Sequence, residues 1–128
     1  MAERRIISTS AAPKAIGPYC QAMLVGETLY MSGQIGIDPV AGKIVDESVG
    51  GQTRQIFENI KAILAEVQMG PGDIVQCQVF LADMGDFAEM NEVYAEFFAG
   101  DYPTRAAIEA GKLPADAKVE IMATAVSS

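Results

Sequence analysis

The sequence predicts a single α+β domain over residues 1–128, a mixed sheet of five or six strands with two helices packed on one face. Three features predict it. Apolar residues recur at helical spacing in two stretches, 52–68 and 87–98, and the segments around them alternate apolar and polar residues as strands do. The order strand, helix, strand, helix, strand calls for two crossovers, which place parallel neighbours in one sheet and both helices on the same side. Length agrees, since 128 residues bury a real core but do not divide into two domains of ordinary size.

Residues 4–8 open the chain as a strand, and 20–34, "CQAMLVGETLYMSGQ", form short strands with a hairpin turn at Gly26-Glu27. Asp38-Pro39 and Ala41-Gly42 then interrupt the pattern. In 52–68, Ile56, Ile60, Ile63, Leu64 and Val67 line one helical face, with Glu58, Lys61 and Glu66 largely off it. Gly70 is expected to take a left-handed cap, and Pro71 cannot continue the helix. In 73–83, Val75, Cys77, Val79 and Leu81 fall on one side of a strand and Gln76, Gln78 and Phe80 on the other. Asp86 and Glu89 have the spacing of a capping box. Phe87, Met90, Val93, Tyr94, Phe97 and Phe98 then form a second helical stripe, read as core and closed by Gly100. Strands near 104–110 and 118–126 finish the chain, and the short return "GKLPADA" between them predicts that they lie side by side.

The last strand sets Val119, Ile121, Ala123 and Ala125 against Glu120, Met122, Thr124 and Val126, so both of its faces are substantially apolar. Two helices cover only one of them. The other face is expected to meet further copies of the chain in a homo-oligomer.

A net charge of -8 repels phosphate backbones and anionic lipid surfaces, which argues against nucleic acid and membrane as main partners. No apolar run has the length of a signal peptide or membrane span, and a cytoplasmic location is expected. Histidine is absent, and the two cysteines, Cys20 and Cys77, lack CxxC spacing. Ser-His-Asp and Cys-His nucleophilic machinery is thereby excluded within the chain, as are the usual zinc sites. Chemistry falls to Arg, Glu, Asp, Tyr, Ser, backbone groups and water, and no cofactor or metal is expected. The cysteines read as buried small hydrophobes.

Arg105 is the only basic residue between Lys61 and Lys112, and it stands among alanines. Along its strand Arg105, Ala107 and Glu109 share a face, and a neighbouring last strand would let Glu120 face the same space. Two readings stand at this point. One is an ordinary ion pair. The other is an arginine that binds a carboxylate in bidentate fashion, with Glu120 as an acid/base group for water or protons. "IGPYCQA" holds Tyr19 at the entrance to a strand, and "MSGQIGIDP" places Ser32 ahead of Gly33 and Gly36, where backbone can approach a ligand closely. That segment lacks the strand-to-helix context and lysine of a phosphate loop.

Taken together, "GPYCQA", "YMSGQIGIDP", "QTRQIFENIKAIL", "MNEVYAEFF" and "YPTRAAIEAGKLPADAKVEI" resemble the RidA/YjgF family of enamine/imine deaminases, over residues 16–126. The resemblance implies a chorismate-mutase-like α+β fold with a mixed six-stranded sheet. It implies a homotrimer whose sheets form a central barrel, with ligand clefts between subunits. It also implies hydrolysis of short 2-imino acids, such as 2-iminobutanoate and 2-iminopropanoate, to 2-oxo acids and ammonia without a cofactor. By the same resemblance Arg105 corresponds to the substrate-carboxylate arginine and Glu120 to the water-associated glutamate. Tyr19, Ser32, Gly33 and Ala107 fall at pocket positions, and Asn91 on a recurrent asparagine that is either a pocket or a structural residue. The chain departs from the family pattern at Ala106 and Ala107, where many members have Ser-Cys, and at Cys20, where many have Ser. The missing thiol bears on substrate range and rate more than on binding. A non-catalytic trimer that binds 2-oxo acids, an endoribonuclease and a holdase-like chaperone are the alternatives the family raises.

Overall fold

The computed structural model describes residues 3–128. Its elements are strands β1 (Arg4–Ile7), β2 (Ala22–Val25), β3 (Thr28–Met31), β4 (Gln34–Ile35), β5 (Ile37–Asp38) and β6 (Lys43–Ile44), helix α1 (Val49–Ala65), strand β7 (Ile74–Leu81), helix α2 (Phe87–Phe98), and strands β8 (Thr104–Glu109) and β9 (Val119–Val126). This is a mixed, mostly antiparallel α+β domain with two helices. The main sheet runs β1-β2-β3-β9-β7-β8, with the short β4 continuing β3's side along β9 as a seventh strand, and β5 and β6 form a separate hairpin. The first hairpin turns where expected, with Gly26 at φ 61°.

The last strand overturns two expectations from chain order. The crossover through α2 does give parallel neighbours, β7 and β8. The crossover through α1 does not, because β9 inserts between β3 and β7 and pairs antiparallel with both. The same insertion separates β8 from β9. The return from 110 to 118 therefore does not lay them side by side, and β7 stands between them.

One face of the sheet, formed by Ala22, Leu29, Met31, Cys77, Val79, Leu81, Val119, Ile121, Ala123 and Ala125, packs with Ile56, Ile60, Ile63 and Leu64 of α1 and Met90 and Tyr94 of α2. The helices lock to each other through Phe57, which stacks on Phe97 at 4.1 Å and meets Tyr94 edge-on. Burial of each such large apolar side chain contributes about 1.5–3 kcal/mol, which is why this face holds the core. β7 enters it through Ile74 rather than Val75. A bulge between Ile74 and Gln76 displaces Val75 outward, 45% exposed, and regular alternation begins only at Gln76. The opposite face keeps Tyr30, Ile108, Met122 and Val126 exposed.

Helix ends depart from the sequence reading through contacts distant in the chain. α1 starts at Val49, three residues before the segment 52–68 read from its apolar stripe, because Ser48 caps it by accepting from the Gly51 N–H. Glu89 does not close a capping box on Asp86. Its carboxylate crosses to α1 and accepts from the Gly50 N–H at 2.8 Å, a position with no Cβ to obstruct it. At the other end of α1 the left-handed residue is Gln68, φ 57°, with the Met69 N–H reaching back to the Leu64 carbonyl. Gly70 is extended and instead donates to Asp73. Ala99, not Gly100, takes the left-handed cap of α2. Among the described residues no helix is long and apolar enough to cross a membrane.

Candidate functional site

β-register assigns the polar residues to faces. Arg105 pairs with Cys77, and Glu120 pairs with Phe80, three residues further along β7. An odd separation along one strand puts the two side chains on opposite faces. Arg105 thus lies on the helix side and Glu120 on the uncovered side, so within one chain they do not share a space. The ion pair weighed from the sequence is absent among the described residues.

On the uncovered side a cavity of about 700 Å³ brings together Tyr19, Ser32, Gly33 and Glu120, four of the seven residues singled out from sequence, with Ile16 and Met122 as apolar wall. Gly33 leaves room for the Glu120 carboxylate. A Cβ at that position would overlap Glu120 Oε2 and lie 3.1 Å from its Cδ. Gly36 serves a different purpose from the expected ligand approach, since a Cβ there would lie 2.9 Å from the Gln52 Cα of α1. The Glu120 carboxylate accepts no hydrogen bond from the described residues, so nothing offsets its partial burial, and desolvation pushes its carboxyl above the ordinary value. Ser32 donates from Oγ to the Cys20 carbonyl at 2.7 Å, which leaves its lone pairs free to accept. Tyr19 is 52% exposed at the rim, its phenol available to a ligand.

Gln21 carried no signal in the sequence yet shapes this cavity. Its buried amide accepts from the Thr9 N–H at 2.7 Å and donates to the carbonyls of Thr9 and Pro13 at 3.0 and 2.8 Å, pinning the segment that forms one wall. Cys20, expected to be buried, is only half-buried next to it. Three ligands from His, Cys, Asp or Glu do not converge as a metal site among the described residues.

Arg105 and Ala107 lie outside the cavity, on the edge strand β8. The guanidinium donates from Nη1 to Asn91 Oδ1 at 2.6 Å and lies over two rings, with Cζ 4.7 Å from the Tyr94 centroid and 5.4 Å from that of Phe87. A hydrogen bond from a charged donor contributes about 1.5–3 kcal/mol and an exposed cation–π contact about 0.5–1 kcal/mol. Fixing an arginine costs about 2 kcal/mol of rotamer freedom, so these contacts are enough to hold it in place. Beneath it, burial pushes the Cys77 thiol up to about 11, and the opposing pull of Arg105 is smaller. Burial, reinforced by Cys77, likewise raises the Tyr94 phenol. Both are neutral at pH 7, and Cys77 supplies no thiolate. Ala107 packs against the core with no polar side chain to offer.

A family model described as "Endoribonuclease L-PSP" matches residues 9–127. The chain belongs to the RidA/YjgF family. Within it, a RutC family protein of Pyrococcus horikoshii is 49% identical over 122 residues, covering 95% of this chain and 97% of the relative. The human protein named 2-iminobutanoate/2-iminopropanoate deaminase is 43% identical over 123 residues, covering 96% and 90%. The crystal structure of the Escherichia coli YjgF gene product superposes with a TM-score of 0.93 at 40% identity, over 97% of this chain and 99% of that one. RidA/YjgF membership agrees with the α+β architecture described above.

Proposed function

We propose that the protein is a cofactor-independent hydrolytic deaminase of short 2-imino acids, 2-iminobutanoate and 2-iminopropanoate among them, yielding 2-oxo acids and ammonia. The observation that carries this reading is the partly desolvated Glu120 carboxylate, set beside Ser32, Tyr19 and Gly33 in one cavity. The deaminase name of relatives above 40% identity supports it.

In this reading Arg105 grips the substrate carboxylate, Glu120 deprotonates the attacking water and returns the proton to the departing amine, and Ser32 and Tyr19 contact the other end of the substrate. Backbone groups at Ala107 complete the lining. Water adds to a carbon already polarised by a protonated nitrogen, ammonia leaves, and no protein nucleophile is needed. Because free imines hydrolyse spontaneously, orientation and acid/base help supply enough acceleration.

Since Arg105 and Glu120 occupy opposite faces of one sheet, the reading requires two copies, Arg105 at the β8 edge of one meeting the Glu120 cavity of its neighbour. A homotrimer with its uncovered sheet faces turned inward as a barrel meets that requirement and buries Tyr30, Ile108, Met122 and Val126. The test is imine hydrolysis with substrate generated in situ, comparing the native chain with Arg105→Ala. Loss of acceleration by about 10²-fold or more is expected. Unchanged acceleration eliminates the clamp, and saturable 2-oxo acid binding without any acceleration in the native chain would establish a binding protein in place of an enzyme.

A further inference from the structure

Phe87, Asn91 and Tyr94 are spaced by four and three residues, so they form one stripe along α2. Their periodicity alone marks the aromatic pair as core. Yet all three touch a single exposed group, the Arg105 guanidinium, which sits over both rings and donates to Asn91. We propose that this stripe is a cradle that orients the guanidinium, with Tyr94 as its main positioning residue, and that it presents the Nε–Nη2 edge to the substrate carboxylate. The inference rests on Arg105 being the carboxylate clamp.

The geometry distinguishes the three roles. Asn91 engages Nη1 and takes that end out of competition for substrate. Nε and Nη2 have no hydrogen-bond partner among the described residues, and together they form the side of the fork that holds a carboxylate in bidentate fashion. A single hydrogen bond leaves the planar group free to pivot about its Nη1 contact. The Tyr94 ring beneath Cζ opposes that pivot, because tilting the cation away from the ring face loses the attraction of the quadrupole. Phe87, at the longer distance, contributes less.

The Tyr94 hydroxyl takes no part. It is fully buried against the Cys77 thiol, a weak partner, and reaches no oxygen or nitrogen among the described residues. Positioning therefore belongs to the ring and not to the phenol, which separates this role from general acid chemistry by tyrosine.

The experiment measures kcat and KM for imine hydrolysis, and inhibition by 2-oxobutanoate against 2-oxobutanamide, in Tyr94→Leu, Tyr94→Phe, Phe87→Leu and Arg105→Ala. Tyr94→Leu is expected to raise KM about tenfold with kcat within about twofold, and to shrink the preference for carboxylate over carboxamide about tenfold. Tyr94→Phe keeps the ring and is expected to recover both. Phe87→Leu is expected to raise KM about threefold, and it carries the test if Tyr94→Leu fails to fold. A general packing defect would lower stability without changing the carboxylate preference. Native KM and preference in a folded Tyr94→Leu protein overturns the cradle, as does native behaviour of Phe87→Leu should Tyr94→Leu not fold, or an equal loss in Tyr94→Phe. If Arg105→Ala keeps the carboxylate preference, the clamp itself fails; if Arg105→Ala loses it and the ring variants do not, only the cradle fails.

Discussion

Replacing Gly33 by alanine tests the placement of the proposed water-activating carboxylate without removing it. The backbone at Gly33 does not have positive φ, so an alanine there meets no conformational penalty. What it meets is Glu120, because the added methyl would overlap Oε2 and lie 3.1 and 3.3 Å from Cδ and Cγ. The carboxylate is the far end of a flexible side chain with no hydrogen bond to hold it, so it yields while the backbone stays. Clearing the overlap moves it by about 1 Å, and misplacing a reacting group by that distance costs on the order of 10²-fold in rate, about 2.7 kcal/mol of transition-state stabilisation. The added methyl meets only Glu120, and the Arg105 that the neighbouring copy brings to the proposed site keeps its own contacts, so KM should change by less than about threefold. The assay is steady-state imine hydrolysis on Gly33→Ala, with thermal unfolding as control. Native kcat at unchanged melting temperature would refute the role given to Glu120.

Three further outcomes are expected. Desolvation raises the Glu120 pKa, so the acid limb of the pH–kcat/KM profile should lie above the ordinary glutamate value of 4.5, and Glu120→Gln should abolish that limb along with most of the rate. A carboxyl whose folded pKa is raised stabilises the fold fully below its unfolded value and loses that contribution as pH rises through the folded one. Glu120→Gln should therefore be at least as stable as the native chain at pH 7, with the advantage vanishing below about 4.5, as chemical denaturation across pH would show. Light scattering should give three times the 13.6 kDa chain mass, and Ile108→Glu, which puts a charge on the uncovered face, should yield monomer and lose deaminase activity with it. A monodisperse native monomer at micromolar concentration would refute the assembly.

The sequence by itself determined what depends on near neighbours in the chain. Spacing of three and four located both helices, alternation located the strands, and parity along β9 put Val119 and Ile121 in the core and Glu120 opposite them. The absence of histidine left Arg105 and Glu120 as the residues to examine. A bulge at Val75 and the carboxylate of Glu89 at the start of α1 were not legible, since the first appears only against a partner strand and the second bridges 39 residues. The relation between Arg105 and Glu120 was not legible for the same reason. Parity fixes a side chain's face within one strand, but comparing two strands requires their register, and that is set by β9 inserting between β3 and β7. Only the tertiary structure decided that the two lie on opposite faces, that Glu120 shares a cavity with Ser32 and Tyr19, and that Arg105 rests on α2 across the Tyr94 ring.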